Sequence, residues 1–167
     1  LARHSFSSHA MANANLVVPK PANLSFEAAA ATAHVFLTAY YALHYLGRLE
    51  KGVGEALRMQ HRVLIHAAAG GVGLAAIQLA RRAGAEIFAT AGSPEKREFL
   101  RALGIKYVMN SRSLEFADRV LEYTDGKGVD LVLNSLTGAA MSKSISVLAP
   151  YGRFIELGRQ GIDPNSK

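Results

Sequence analysis

Between Arg62 and Leu157 short apolar runs alternate with stretches of helical spacing, and this alternation constrains the fold more than any other feature of the chain. Strand signals fall at Val63–His66, Glu86–Ala89, Tyr107–Met109, Val129–Leu133 and Arg153–Leu157. Helical signals lie between them, at Gly73–Ala83, Pro94–Leu103, Leu114–Tyr123 and Ala139–Leu148, the last ending near Pro150. Strands that alternate with helices of about ten residues build a parallel sheet covered on both faces, because each crossover helix carries the chain back to the start of the next strand and packs on a face of the sheet. The expected strand order is 3-2-1-4-5. Strand five then stands at an edge, where unpaired backbone groups invite another chain; a homodimer is the expected consequence.

Punctuation supports these boundaries. Ser93 can cap the second of these helices and Pro94 suits its first position. Upstream, Leu16-Val17-Val18-Pro19 reads as a short strand stopped by proline, and Pro19–Asn23 as a linker. Ser25 caps a helix with Glu27 in its favourable first turn, and helical character runs on to about Leu46. Gly52 and Gly54 break the chain before the first strand of the alternating region.

Composition excludes several classes. With 167 residues, half of them hydrophobic, one domain with a real core is expected. There is no cysteine, so this stretch contains no disulfide and no thiolate metal site, and a cytoplasmic location is consistent with that. The net charge of +6 comes from scattered or paired basic residues rather than a stripe, and no nucleic-acid reading motif accompanies it, so nucleic acid is not an expected partner. Leu1–Ser8 lacks the charged start and apolar run of a signal peptide. Phe26–Leu46 is apolar, but Glu27, His34, His44 and three tyrosines interrupt it, which favours a buried amphipathic helix over a membrane span. None of the six histidines has a helical i, i+4 partner with an acid between, and no metal site is expected. His66 reads as a packed residue beside a turn.

That turn, His66-Ala67-Ala68-Ala69-Gly70-Gly71-Val72-Gly73, follows a strand and opens a helix, which is the context a dinucleotide-binding turn requires. Gly70 would let backbone approach a pyrophosphate and Gly73 would let helix pack closely on strand. The amides of the helix start, around Ala69, Gly70, Gly71, Val72 and Gly73, would meet the negative charge. Ala68 stands where the first glycine of the usual pattern belongs, so an unliganded tight turn is the alternative. A site for NAD places an acid at the end of strand two. This chain has Ala89-Thr90-Ala91-Gly92-Ser93 instead, which leaves room for a 2′-phosphate. Ser93 can donate a hydrogen bond, Lys96 can supply charge, and Arg112 reaches the same place if strand three neighbours strand two. NADPH is therefore expected rather than NADH; solvated surface charge is the other reading of Lys96 and Arg112.

Five blocks then carry a resemblance: the glycine turn at 66–73, Gly-Ser-Pro-Glu-Lys at 92–96, Asn-Ser-Arg at 110–112, Gly-Lys-Gly-Val-Asp-Leu-Val-Leu-Asn-Ser-Leu at 126–136 and Gly-Arg-Phe-Ile-Glu-Leu-Gly at 152–158. In order and spacing the chain resembles the enoyl reductase domains of polyketide and fatty acid synthases, zinc-free members of the medium-chain reductases. Leu-Val-Val-Pro-Lys-Pro at 16–21 and Phe-Leu-Thr-Ala-Tyr-Tyr-Ala-Leu at 36–43 resemble them too.

The resemblance implies a Rossmann-type α/β domain over 24–167, incomplete at its C-terminal end, preceded at 1–23 by the tail of a β-rich substrate domain. It implies hydride transfer from NADPH to the β-carbon of an α,β-unsaturated thioester delivered on an acyl carrier protein, among neighbouring synthase domains. A free-standing quinone or enone reductase, or a piece that binds NADPH without turnover, are the alternatives. It places Asn134, Ser135, Leu136, Gly158 and residue 159 near the nicotinamide half. Thr38 faces the same cleft or is a helix-face threonine bonded to its own backbone. Relatives often carry a lysine, considered as proton donor, where this chain has Arg159. Arginine does not give up its proton, so Arg159 can stabilise an enolate or hold a phosphate but leaves the proton donor unassigned.

Overall fold

The computed structural model describes residues 7–49 and 61–158. Five strands form one sheet: β1 (Arg62–Ile65), β2 (Glu86–Ala91), β3 (Tyr107–Asn110), β4 (Val129–Asn134) and β5 (Leu148–Glu156). The order is β3-β2-β1-β4-β5, as expected, and every pairing is parallel. The crossovers are α2 (Gly71–Arg82), α3 (Pro94–Ala102), α4 (Glu115–Tyr123) and α5 (Ala139–Ser146); α1 (Phe26–Tyr40) precedes the sheet.

Side chains that alternate along each strand fill two cores. Val63, Ile65, Ile87, Ala89, Leu131 and Leu133 pack against α1, α2 and Leu100 of α3. Leu64, Phe88, Met109 and Val132 point the other way and meet Phe116, Ala117 and Val120 of α4. Burial on both faces explains why the strands read as continuous apolar runs. The caps expected from sequence form: the Ser25 hydroxyl accepts from Ala28 N at 3.1 Å and the Ser93 hydroxyl from Lys96 N at 3.3 Å.

Three local expectations need correction. Leu16–Val18 is not a strand; Ala14–Leu16 forms one 3₁₀ turn, and Leu16, Val17 and Val18 are exposed. No described strand lies beside them, and a strand without a ladder partner has nothing to hold its backbone. The helix to Leu46 is not uniform either, because α1 gives way at Tyr41–Leu46 to a wider π turn, closed by Gly47 N donating to Ala42 O at 2.8 Å. Finally, α5 stops at Ser146 and β5 begins at Leu148, five residues earlier than its apolar run suggested. Leu148 pairs with Val129 and Arg153 with Leu131, so four residues of β5 bulge out against one of β4. Pro150 and the fully exposed Tyr151, at φ +64°, sit in that bulge. Proline is tolerated there because an edge bulge needs no ladder N–H. The expected break at Gly52 and Gly54 lies outside the described residues. No helix among the described residues is long and apolar enough to cross a membrane.

Candidate functional site

In a parallel sheet every strand delivers its carboxyl end to the same rim, and at a switch of strand order the neighbouring loops diverge and leave a crevice. Here the switch lies between β1 and β4, and β1 leads directly into the turn at 66–73.

The turn is held by backbone. Ala67 takes a left-handed conformation, φ +48°, Gly70 N donates to Ala67 O at 2.8 Å, and Ala68 N donates to Thr90 O at 3.0 Å. A Cβ on Gly73 would lie 2.6 Å from Ala67 O, Ala68 Cα and Ala68 O, so glycine alone lets α2 pack this closely on β1. A Cβ on Gly71 would meet Val35 of α1 at 3.0 Å. Ala68 is fully buried at the place of the missing first glycine, and its methyl group faces the core rather than the crevice. Gly70 is the N-cap of α2 and offers no side-chain acceptor. The first-turn N–H groups of Gly71, Val72 and Gly73 thus have no side-chain cap, and with the helix dipole they suit a diphosphate.

His66, read from sequence as a packed residue, does more than pack. It is 3% exposed, with Nδ1 2.8 Å from Thr90 Oγ1 on β2 and Nε2 2.8 Å from Ser144 Oγ on α5, and its ring meets Phe116 edge-on. Ser144 Oγ donates to Ala140 O at 2.7 Å, so it accepts from His66. Nε2 therefore carries the proton and Nδ1 accepts from Thr90. Burial pulls the imidazole pKa from 6.5 down to about 4, so the ring is neutral at pH 7.

At the end of β2 the backbone passes Gly92 with no acid beside it. Strand β3 does neighbour β2, with Ala91 opposite Asn110, and this brings Arg112 into place. Its Nε would be 3.1 Å from a Cβ on Gly92, so the guanidinium stem lies over that glycine. Lys96 is exposed on the first turn of α3 and Ser93 is half-buried. Ser93 also interacts with Glu95, whose carboxyl is held below its ordinary range by that hydrogen bond. Arg97, not singled out from sequence, donates to Ala91 O at 3.2 Å and closes the underside of the same loop.

On the other side of the crevice, Asn134 ends β4 fully buried, and its amide is spent on structure. Nδ2 donates to Leu136 O at 2.8 Å and to Glu156 Oε2 at 2.5 Å, while Oδ1 accepts from Leu136 N at 3.2 Å. Ser135 is left exposed at the tip. Leu157 N donates to Asn134 O at 2.9 Å, and Gly158 N donates to Glu156 Oε1, so the ends of β4 and β5 are tied together. Sequence reasoning missed Glu156, because nothing local in an apolar strand marks a glutamate as a bridge. Thr38 donates to His34 O at 2.9 Å, which is the self-bonded alternative. Arg159 lies outside the described residues. An apolar hollow lined by Leu16, Val18, Phe36, Leu37 and Leu79 belongs to α1 and the N-terminal segment, not to the strand ends.

This is the architecture of a dinucleotide-binding α/β domain. Comparison with known proteins places it more closely. Residues 71–166 match the family model described as zinc-binding dehydrogenase. A phenolphthiocerol/phthiocerol polyketide synthase of Mycobacterium tuberculosis is 50% identical over 157 residues, 94% of this chain and 7% of that protein. The crystal structure of CurK enoyl reductase is 53% identical with a TM-score of 0.79, covering 87% of this chain and 41% of that one. The nucleotide-binding subdomain of the enoylreductase domain of PpsC from M. tuberculosis is 49% identical with a TM-score of 0.72, covering 80% of this chain and 70% of that one. The chain belongs to the zinc-binding dehydrogenase family and, within it, to the enoyl reductase domains of polyketide synthases. It spans about 7% of the length of the curated relatives it matches. The family description names zinc; the chain has no cysteine, and no group of three or more His, Asp or Glu converges among the described residues.

Proposed function

We propose that this chain is the NADPH-holding part of an enoyl reductase that reduces α,β-unsaturated acyl thioesters within a polyketide synthase. The observation that carries the cofactor choice is Arg112 lying over Gly92 at the end of a β2 that has no acid, beside Ser93 and Lys96. A ribose 2′-phosphate meets two cations there, whereas a carboxylate for a free 2′-hydroxyl is missing. Ala69, Gly70, Gly71, Val72 and Gly73 hold the diphosphate, and Asn134, Ser135, Leu136 and Gly158 form the rim for the nicotinamide. When bound, NADPH supplies a hydride to the β-carbon of the unsaturated thioester, and a proton added at the α-carbon completes the saturated product and NADP⁺.

The chain's own contribution is positioning: a fixed turn for the diphosphate, a clamp for the 2′-phosphate, and an internally bonded strand-end rim that does not need to reorganise. Arg159 keeps its proton and serves as a positive charge for the thioester oxygen or a phosphate, not as the acid. The net charge of +6 suits an acidic acyl carrier protein as the bearer of the substrate. The 1–23 segment belongs in this reading to a substrate domain, and neighbouring synthase domains complete the setting.

The test is titration with NADPH and NADH, followed by nicotinamide fluorescence, for the wild type and Lys96→Ala. NADPH should bind well ahead of NADH, and the substitution should weaken NADPH about tenfold while leaving NADH unchanged. Equal affinities for the two nucleotides would refute the clamp, and no binding of either would refute the cofactor site.

A further inference from the structure

The Asn134–Glu156 pair is unlike the other side-chain contacts of the rim. Glu156 meets no lysine or arginine in any ion pair among the described residues. Its two oxygens are instead divided between two strand ends: Oε2 takes the amide of the buried Asn134, and Oε1 takes the backbone N–H of Gly158. Gly158 makes the second contact possible, since a Cβ there would lie 2.7 Å from that oxygen. Asn134 in turn fixes Leu136 through both its N–H and its carbonyl. One carboxylate thus sets the geometry of 134–136 and of 157–158 together.

We propose that Glu156 is the positioning residue of the nicotinamide side of the site, acting through Asn134 and Gly158 without touching the cofactor. This rests on the reading of the strand ends as a dinucleotide rim. The chemistry needed is an acceptor at both oxygens. A glutamine of the same shape has one acceptor and one donor, so either orientation sets an N–H against the N–H of Asn134 or of Gly158. Asn134 cannot turn over to compensate, because its carbonyl would then oppose Leu136 O.

The experiment measures two ligands on the whole chain: NADPH, and adenosine 2′,5′-bisphosphate, which carries the 2′-phosphate half and no nicotinamide. In Glu156→Gln, NADPH should weaken about tenfold and the bisphosphate by less than twofold. Glu156→Asp keeps the charge but draws the carboxylate back by one methylene, and should behave like Glu156→Gln. Unchanged NADPH binding in Glu156→Gln overturns the proposal, and full affinity in Glu156→Asp overturns the two-point bridge. Parallel loss of both ligands, or failure of both variants to fold, makes Glu156 a general structural residue and overturns it as well. If the wild type binds neither ligand, the dinucleotide reading itself falls, an outcome distinct from the others.

Discussion

Replacing His66 by glutamine should flatten the pH dependence of stability between neutral and mildly acid conditions. Glutamine can give an N–H to Ser144 and accept from Thr90, so it keeps the hydrogen-bond pattern of the neutral imidazole and cannot take a proton. In the native protein burial holds the His66 pKa at about 4, against 6.5 in the ordinary state. As pH falls through 6.5 the unfolded chain binds a proton that the native state refuses, so the stabilising contribution is complete above that value. It declines between 6.5 and 4 and is absent below. The total is about 3 kcal/mol, from the difference between 6.5 and about 4 at roughly 1.36 kcal/mol per pH unit. Of this, about 2 kcal/mol is lost between pH 8 and pH 5. Urea denaturation at those two pH values, on wild type and His66→Gln, reads the effect directly. Glu27 and Glu95, whose carboxyls are held below the ordinary range by hydrogen bonds, are common to both proteins and cancel in the comparison. The wild type should lose about 2 kcal/mol more than the variant over this interval. An equal loss in both would refute the argument that burial keeps His66 neutral.

Two further outcomes follow from the turn and the sheet edge. Gly73→Ala should cost about 3 kcal/mol in urea denaturation, the upper end for overpacking, because the atoms a Cβ would strike are all backbone and cannot step aside; stability within about 1 kcal/mol of wild type would count against that geometry. If β5, the edge strand among the described residues, pairs with a second copy, light scattering at working concentration should give the dimer mass; a monomer mass would remove the edge-pairing argument.

Strand order, the dinucleotide turn and the helix caps were all legible in the order of the amino acids. The turn and the caps are local matters, while the strand order followed from the usual arrangement of alternating strands and helices. A strand buried on both faces must be apolar throughout, a helix start must find acceptors within three residues, and a turn that presses helix on strand must be glycine. Ser25, Ser93 and Gly73 therefore announce their roles through their immediate neighbours in the chain. The position of Arg112 was legible conditionally, as soon as strand three was allowed to lie beside strand two.

Contacts between residues far apart in the chain were settled only by the tertiary arrangement. His66 meets Ser144 across 78 residues and Asn134 meets Glu156 across 22. Both depend on strand register and on which helix covers which face. The same is true of where β5 begins: Leu148 joins the sheet because Val129 lies opposite, and the four-residue bulge brings Arg153 back into register with Leu131. Periodicity records which face a residue occupies; it does not record which polar atom of another strand will stand within about 3 Å of it, and at the rim of this site that pairing sets the geometry.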